Sequence, residues 1–181
     1  MLVLKVLKFF LLDINGETTP EGSEIRLWGI DERGKHILII DRSFKPRFYA
    51  IPKQDSPPKT LVETLSSSKN ENKDIIDVSV EEKKFFNGKV NAVKITCKSS
   101  DAVEGVAKKL AKNELVHQVL ENDIRYASLY LLEKDLIPCR WNELEVEKYT
   151  FPEAGVDNAY IAVGSPRPSS LEASPDLRLF A

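Results

Sequence analysis

Hydrophobic and polar positions along the first forty residues alternate in blocks that predict strands. Phe9 to Ile14 is mainly apolar, Gly16 to Gly22 is rich in turn formers, and Glu24-Ile25-Arg26-Leu27-Trp28 has the period of a half-buried strand. Asp31-Glu32-Arg33-Gly34 predicts a hairpin loop, because its glycine can take the positive φ such loops often need. His36 to Ile40 then supplies a third strand, so residues 1–43 read as an antiparallel meander. In Asp41 to Pro52, cations and aromatics surround Pro46, which lacks an amide hydrogen and favours an extended Lys45, as at an edge or the start of a strand. Pro57-Pro58 marks a loop. Thr60 and Glu63 have the spacing of a capping box ahead of Leu61, Val62 and Leu65, which predicts a short helix, and Ser66 to Lys73 reads as exposed.

From Ile75 the period changes to two, with Ile76, Val78 and Val80 expected on one face. Asn87-Gly88 predicts a tight hairpin and a return strand through Val93, Ile95 and Cys97. Ser99-Ser100-Asp101 offers helix caps, with Glu104 three residues beyond Asp101. Val103, Val106, Ala107, Leu110 and Ala111 recur at helical spacing, and Lys108, Lys109 and Lys112 suit the helix end. A strand at Leu115 to Leu120 follows.

Residues 44–120 therefore spell strand, helix, strand, strand, helix, strand, the order of a ferredoxin-like split βαβ sandwich. A further helix over Ile124 to Lys134 closes a subdomain of residues 44–138. Residues 139–181 read as a β extension and linker, with strand-like pieces at Leu144 to Tyr149 and Ala159 to Val163 and a connecting loop at Ser165 to Asp176. Leu177 to Ala181 alternates like the beginning of another strand, so a following domain is expected. The fold class is α+β: a meander plus a ferredoxin-like sandwich, with a C-terminal helix and strand extension.

Composition narrows the chemistry. The 181 residues are 42% hydrophobic and 30% charged, ordinary for a globular chain. Met1 to Leu12 is interrupted by Lys5 and Lys8 and is too short and charged to span a bilayer; a cytoplasmic protein with no membrane partner is expected. Cys97 and Cys139 lack zinc-site spacing, and only two histidines, His36 and His117, are present. Neither histidine has a nucleophile or carboxylate placed beside it by sequence, and no GxSxG, P-loop, GxGxxG or HExxH motif occurs. The acidic pairs Glu81-Glu82 and Glu133/Asp135 read as solvated faces. No catalytic or metal-ligating residue is expected.

Net charge is −2, yet residues 1–100 carry 17 basic against 14 acidic side chains while the remainder carries 9 against 14. A phosphate backbone would meet the first half. Two segments there mix cations with rings: Arg42, Lys45 and Arg47 among Phe44, Phe48 and Tyr49, and Lys83-Lys84-Phe85-Phe86-Asn87-Gly88-Lys89 at the hairpin tip. Cations neutralise phosphates and aromatic faces stack on unpaired bases. The same alternation also fits Phe44, Phe48 or Phe86 buried with the cations outside, and spacing alone leaves both open.

Asp41 to Ala50, Glu82 to Lys89, and Asn122 to Leu131 with Leu136-Ile137-Pro138 resemble, in that order, the N-terminal domain of archaeal family B DNA polymerases. Leu177 to Ala181 resembles the strand before that family's first exonuclease motif. The resemblance implies a noncatalytic domain that contacts single-stranded template DNA and supports the exonuclease and palm domains of the same polypeptide. It implies Arg42, Lys45, Arg47 and Lys84 as DNA-binding residues. The parent enzyme would be a nucleotidyltransferase with 3′–5′ exonuclease, using Mg2+ that this chain itself does not bind. Many members also capture template uracil, and by position that pocket would draw on Pro46, Ala102, Ile124 and Tyr126, with Gly16 and Arg47 near its mouth. Here Gly16 and Arg47 stand where members with the pocket have tyrosines, and Leu129 where they have an arginine, so the implied pocket is degenerate. The alternatives are a free-standing ferredoxin-like RNA-binding module, which would stack bases on sheet aromatics, and a purely structural interface domain.

Overall fold

The computed structural model describes residues 4–67, 72–86, 88–151 and 155–176. In chain order the elements are β1 (Lys5–Thr19), β2 (Gly22–Asp31), β3 (His36–Asp41), β4 (Arg47–Pro52), α1 (Pro58–Ser67), β5 (Ile75–Phe85), β6 (Gly88–Cys97), α2 (Ser100–Leu110), β7 (Val116–Leu120), α3 (Tyr126–Lys134), β8 (Trp141–Tyr149), β9 (Asn158–Ala162) and β10 (Arg167–Pro168). The architecture is α+β and mostly strand. Two units divide it: Met1–Glu17, Glu24–Phe44 and Tyr126–Ala181 form the first, Thr18–Ser23 and Lys45–Arg125 the second. The first unit is gathered from three stretches of the chain and the second is nearly continuous.

In the first unit the strands run β1-β2-β3-β9-β8-β10, and β1 also pairs with β8, so five strands close into a ring. Antiparallel pairing of Lys5–Phe10 with Trp141–Val146 makes the closure, and β3 pairs parallel with β9 from Ile37↔Asn158 to Ile40↔Ile161. Alternation decides what fills it. Leu7, Phe9, Leu11, Ile25, Leu27, Ile37, Ile39, Leu144 and Val146 are buried. At Gly29 a Cβ would stand 2.5 Å from the Phe10 carbonyl oxygen, so only glycine permits that approach. On the opposite face Leu38, Ile40 and Ala159 are covered by Trp28, Tyr149, Phe151, Val156 and Ile161. Helix α3 buries Tyr126, Leu129 and Tyr130. Asp41, 1% exposed, receives the amide of Ser43 at 2.8 Å and the Tyr130 hydroxyl at 2.9 Å, which satisfies a carboxylate removed from water.

In the second unit the sheet order is β5-β6-β4-β7, with β4–β6, β4–β7 and β5–β6 all antiparallel. One face packs on the helices. Phe48, Ala50, Val78, Val93, Ile95 and Cys97 meet Leu61 and Leu65 of α1 and Val106, Ala107 and Leu110 of α2. Burial of such side chains contributes about 2 kcal/mol each.

Several local expectations change. Strand β1 continues through Gly16 to Thr19, leaving only Pro20 and Glu21 between β1 and β2, because pairing extends the strand through residues whose own preference is for turns. Helix α1 starts at Pro58, where a fixed φ and a missing amide hydrogen suit the first helical position, so Thr60 lies inside the helix and does not cap it. Irregular pairing between Ile75 and Asp77 puts Ile75 in the core with Val78 and leaves Ile76 exposed, while Val80, on the same face as Val78, is exposed further along the strand. Ser99 is the N-cap of α2 but makes no side-chain cap bond; the Ser100 amide instead donates to the Ser23 hydroxyl at 2.8 Å. Helix α3 begins at Tyr126, two residues after the predicted start. Leu177 to Ala181 and Asn87 lie outside the described residues. The hairpin that Asn87-Gly88 predicts is nonetheless present in the pairing of Phe85 with Gly88.

Candidate nucleic-acid interface

Within the first unit, Arg42 is held at the end of β3. Its Nε donates to Glu24 Oε2 at 3.0 Å, and its guanidinium lies 5.4 Å from the Tyr149 ring centroid. Arg26 mirrors it, with Nε donating to Glu24 Oε1 at 3.0 Å and the guanidinium 5.3 Å from the Phe151 centroid. Tyr149 and Phe151 are stacked, centroids 6.1 Å apart and planes 24° from parallel. Glu24 is 3% exposed, so one buried carboxylate anchors two guanidinium groups, each on its own ring. Hydrogen bonds to Tyr149 and Glu24 raise the Arg42 pKa further above its ordinary value. Trp28, two residues beyond Arg26 on β2, donates Nε1–H to Asn15 Oδ1 at 2.6 Å.

In the second unit Arg47 is 7% exposed, donates from Nη1 to Glu121 Oε2 at 2.8 Å, and stacks 4.7 Å from the Tyr49 centroid. Lys83 approaches the same ring at 4.4 Å. The Tyr49 hydroxyl donates to Glu81 Oε2 at 2.9 Å, and Lys94 donates to Glu81 Oε1 at 3.0 Å. Burial raises the Tyr49 pKa. Burial also pushes the Glu81 carboxyl up, but the hydrogen bonds from Lys94 and Tyr49 outweigh it and leave that pKa below the ordinary value.

The rings of the first cation-rich segment are interior: Phe44 is 8%, Phe48 0% and Tyr49 2% exposed. The readings left open by spacing therefore resolve toward burial there. At the β5–β6 tip the outcome is the reverse, since Phe86 is 84% exposed, has φ +50°, and meets Phe85 edge-on at 4.6 Å. Among the described residues Lys45 and Lys84 form no ion pair; Lys84 is exposed and Lys45 half-buried.

The residues assigned by resemblance to a template-base pocket fall in both units. Gly16 and Tyr126 belong to the first, Pro46, Ala102 and Ile124 to the second. Tyr126 is 7% exposed, stacks on Phe44 at 5.6 Å and donates its hydroxyl to the Phe44 carbonyl at 2.6 Å. The Pro46 carbonyl accepts the Cys97 amide at 2.8 Å, Ala102 packs against the sandwich core, and Ile124 is half-buried.

His36 and His117 are both exposed and lie on different strands. Among the described residues no three His, Cys, Asp or Glu side chains come together in a metal-binding group. No helix among them is long and apolar enough to cross a membrane. Sequence reasoning missed the arrangement of Glu24, Arg26, Trp28, Tyr149 and Phe151. The signal available was the alternation of Glu24, Arg26 and Trp28 along one strand; the rings at 149 and 151 stand far off in sequence.

No protein-family model matches the chain. It is 25% identical over 84% of its length to DNA polymerase 3 of Saccharolobus solfataricus, and 27% identical over 94% to DNA polymerase 2 of Aeropyrum pernix. It spans 19% and 21% of those two relatives. The solved family B DNA polymerase of Pyrobaculum calidifontis superposes on 94% of the chain with a TM-score of 0.79 at 25% identity, the match covering 21% of that structure. The chain is a homologue of archaeal family B DNA polymerases, similar to a stretch that makes up about a fifth of each.

Proposed function

We propose that the chain is the noncatalytic N-terminal domain of a family B DNA polymerase that contacts single-stranded template DNA and supports the exonuclease and palm domains of its polypeptide. The similarity over 94% of the chain to about a fifth of a solved family B polymerase carries this reading. The parent would be a nucleotidyltransferase with 3′–5′ exonuclease acting in the cytoplasm. Its Mg2+ is assigned to other domains of that polypeptide. Template uracil sensing is taken to be degenerate.

In fold terms the reading is a meander incorporated into a ring plus a ferredoxin-like split βαβ sandwich. Support for the latter is the strand order β5-β6-β4-β7 with helices after its first and third strands. An RNA-binding module of that class needs accessible rings on its central strands, and Tyr49 of β4 is 2% exposed with Arg47 and Lys83 over its ring, which weighs against it.

A salt titration with labelled single-stranded DNA and RNA tests the proposal. Binding to DNA that weakens as salt rises, with no preference for RNA, is expected. Clear RNA preference, absence of binding at low salt, or magnesium-dependent nucleotide incorporation by the purified chain overturns it.

A further inference from the structure

We infer that the outer face of the five-stranded ring, centred on Trp28, Tyr149 and Phe151, is where an unpaired stretch of DNA lies, its bases stacking on the rings and its phosphates meeting Arg26 and Arg42. The inference rests on the reading of the chain as a template-contacting domain and assigns that contact to one surface.

Register places these groups together. Arg26 and Trp28 of β2 stand opposite Ile40 and Leu38 of β3, and Tyr149 of β8 stands opposite Ala159 of β9. Their neighbours at alternate positions, Ile25, Leu27, Ile37 and Ile39, fill the ring, so this face points away from it. Trp28, Tyr149 and Phe151 cover Leu38 and Ile40, which are 0% exposed, yet remain half-buried themselves. They form a platform already rigid before any base arrives, and little side-chain entropy is left to lose on stacking.

The cations are prepared in the same way. Glu24 takes the Nε–H of each arginine, so the terminal nitrogens remain as donors for phosphate oxygens. Arg26 Nη1 lies 3.9 Å from Glu17, and Arg42 Nη2 lies 3.5 Å from the Tyr149 hydroxyl, both at the weak limit of interaction. With Glu24 and Glu17 offsetting much of the positive charge, stacking supplies most of the affinity and salt dependence is shallow. The topology agrees: a five-stranded ring in the order β1-β2-β3-β9-β8, closed by β1–β8 and with β3–β9 parallel, has the plan of barrels whose β2–β3 face takes oligonucleotides.

Trp28 and Trp141 are the two tryptophans, so the full chain carrying Trp141→Phe reports Trp28 fluorescence alone. The probe is oligothymidylate of about twelve nucleotides, within the span of one barrel of this kind. Expected are quenching of Trp28 on binding, affinity about tenfold lower in Trp28→Ala and in Phe151→Ala, and little change in Trp28→Phe, since one stacked base contributes that order of affinity. Far-UV circular dichroism confirms that each variant folds, and the tryptophan signal needs no wall substitution at all. Binding without quenching, unchanged by both alanine variants and lost in Phe86→Ala, moves the contact to the hairpin and overturns this inference while the template-contact reading stands. Absence of DNA binding overturns both.

Discussion

The Tyr126 ring lies so close to the backbone of Gly16 that a methyl group there would stand 2.6 Å from Cδ1. The ring cannot easily yield, because its hydroxyl is fixed on the Phe44 carbonyl at 2.6 Å and its face is stacked on Phe44. Gly16→Ala is expected to destabilise the chain by about 1–3 kcal/mol through overpacking, read as a lower urea midpoint with an unchanged slope. Preceding the alanine change with Tyr126→Leu should relieve most of that cost. A tyrosine at position 16 would require Tyr126 to sit elsewhere.

Arg47 is a buried cation. It is 7% exposed, paired with Glu121 and stacked on Tyr49, so Arg47→Ala should cost about 1–3 kcal/mol of stability by removing a charged hydrogen bond and its packing. Affinity for oligothymidylate and the slope of its salt dependence should stay where they are. A fall in that slope by about 0.7 would instead mark a phosphate contact at Arg47.

The two thiols should behave oppositely. Cys139 is exposed, whereas Cys97 is buried in the sandwich core and burial, reinforced by Asp74, raises its pKa from 9.0 to about 12. At pH 8 a thiol reagent should label one cysteine rapidly and the second only on unfolding. Because the folded value lies above the unfolded one, this group's stabilising contribution is complete below pH 9 and is lost as pH rises toward 12. Burial moves Tyr126 and Tyr130 in the same direction, so melting temperature should fall progressively above pH 9.

Uracil should not be singled out. A pocket that rejects the thymine methyl group would favour a uracil-containing strand about tenfold or more. With Gly16 pressed by Tyr126 and Arg47 committed to Glu121, the affinities for uracil- and thymine-containing strands are expected to agree within about twofold, measured by competition anisotropy.

How far the sequence carried depends on the range of each interaction. The hairpins at Asp31–Gly34 and Phe85–Gly88, and the helices containing Leu61 and Val106, follow from neighbours a few residues apart and were legible. The closure of β1 on β8 joins Phe10 to Trp141, and the parallel β3–β9 pair joins residues more than a hundred positions apart; periodicity has no memory over that span. Burial of Arg47 was hidden for a related reason. Alternation tells which side of β4 it occupies, but only Glu121 and Tyr49 decide that the side is covered. The irregular pairing after Ile75 exchanged an expected core residue, Ile76, for its neighbour, a shift of one position that no local preference records. Glu24 read as an ordinary polar position on a strand until Arg26 and Arg42 were found on its two oxygens.

Because the ring draws its first three strands from before residue 42 and its last two from after residue 140, the ribosome must deliver β9, which ends at Ala162, before the ring can close. The intervening sandwich, whose four strands and two helices are contiguous, can finish folding while the earlier strands still wait with unpaired edges. Synthesis order thus leaves β1 and β3 exposed the longest, and that interval is where premature association with another nascent chain is to be guarded against.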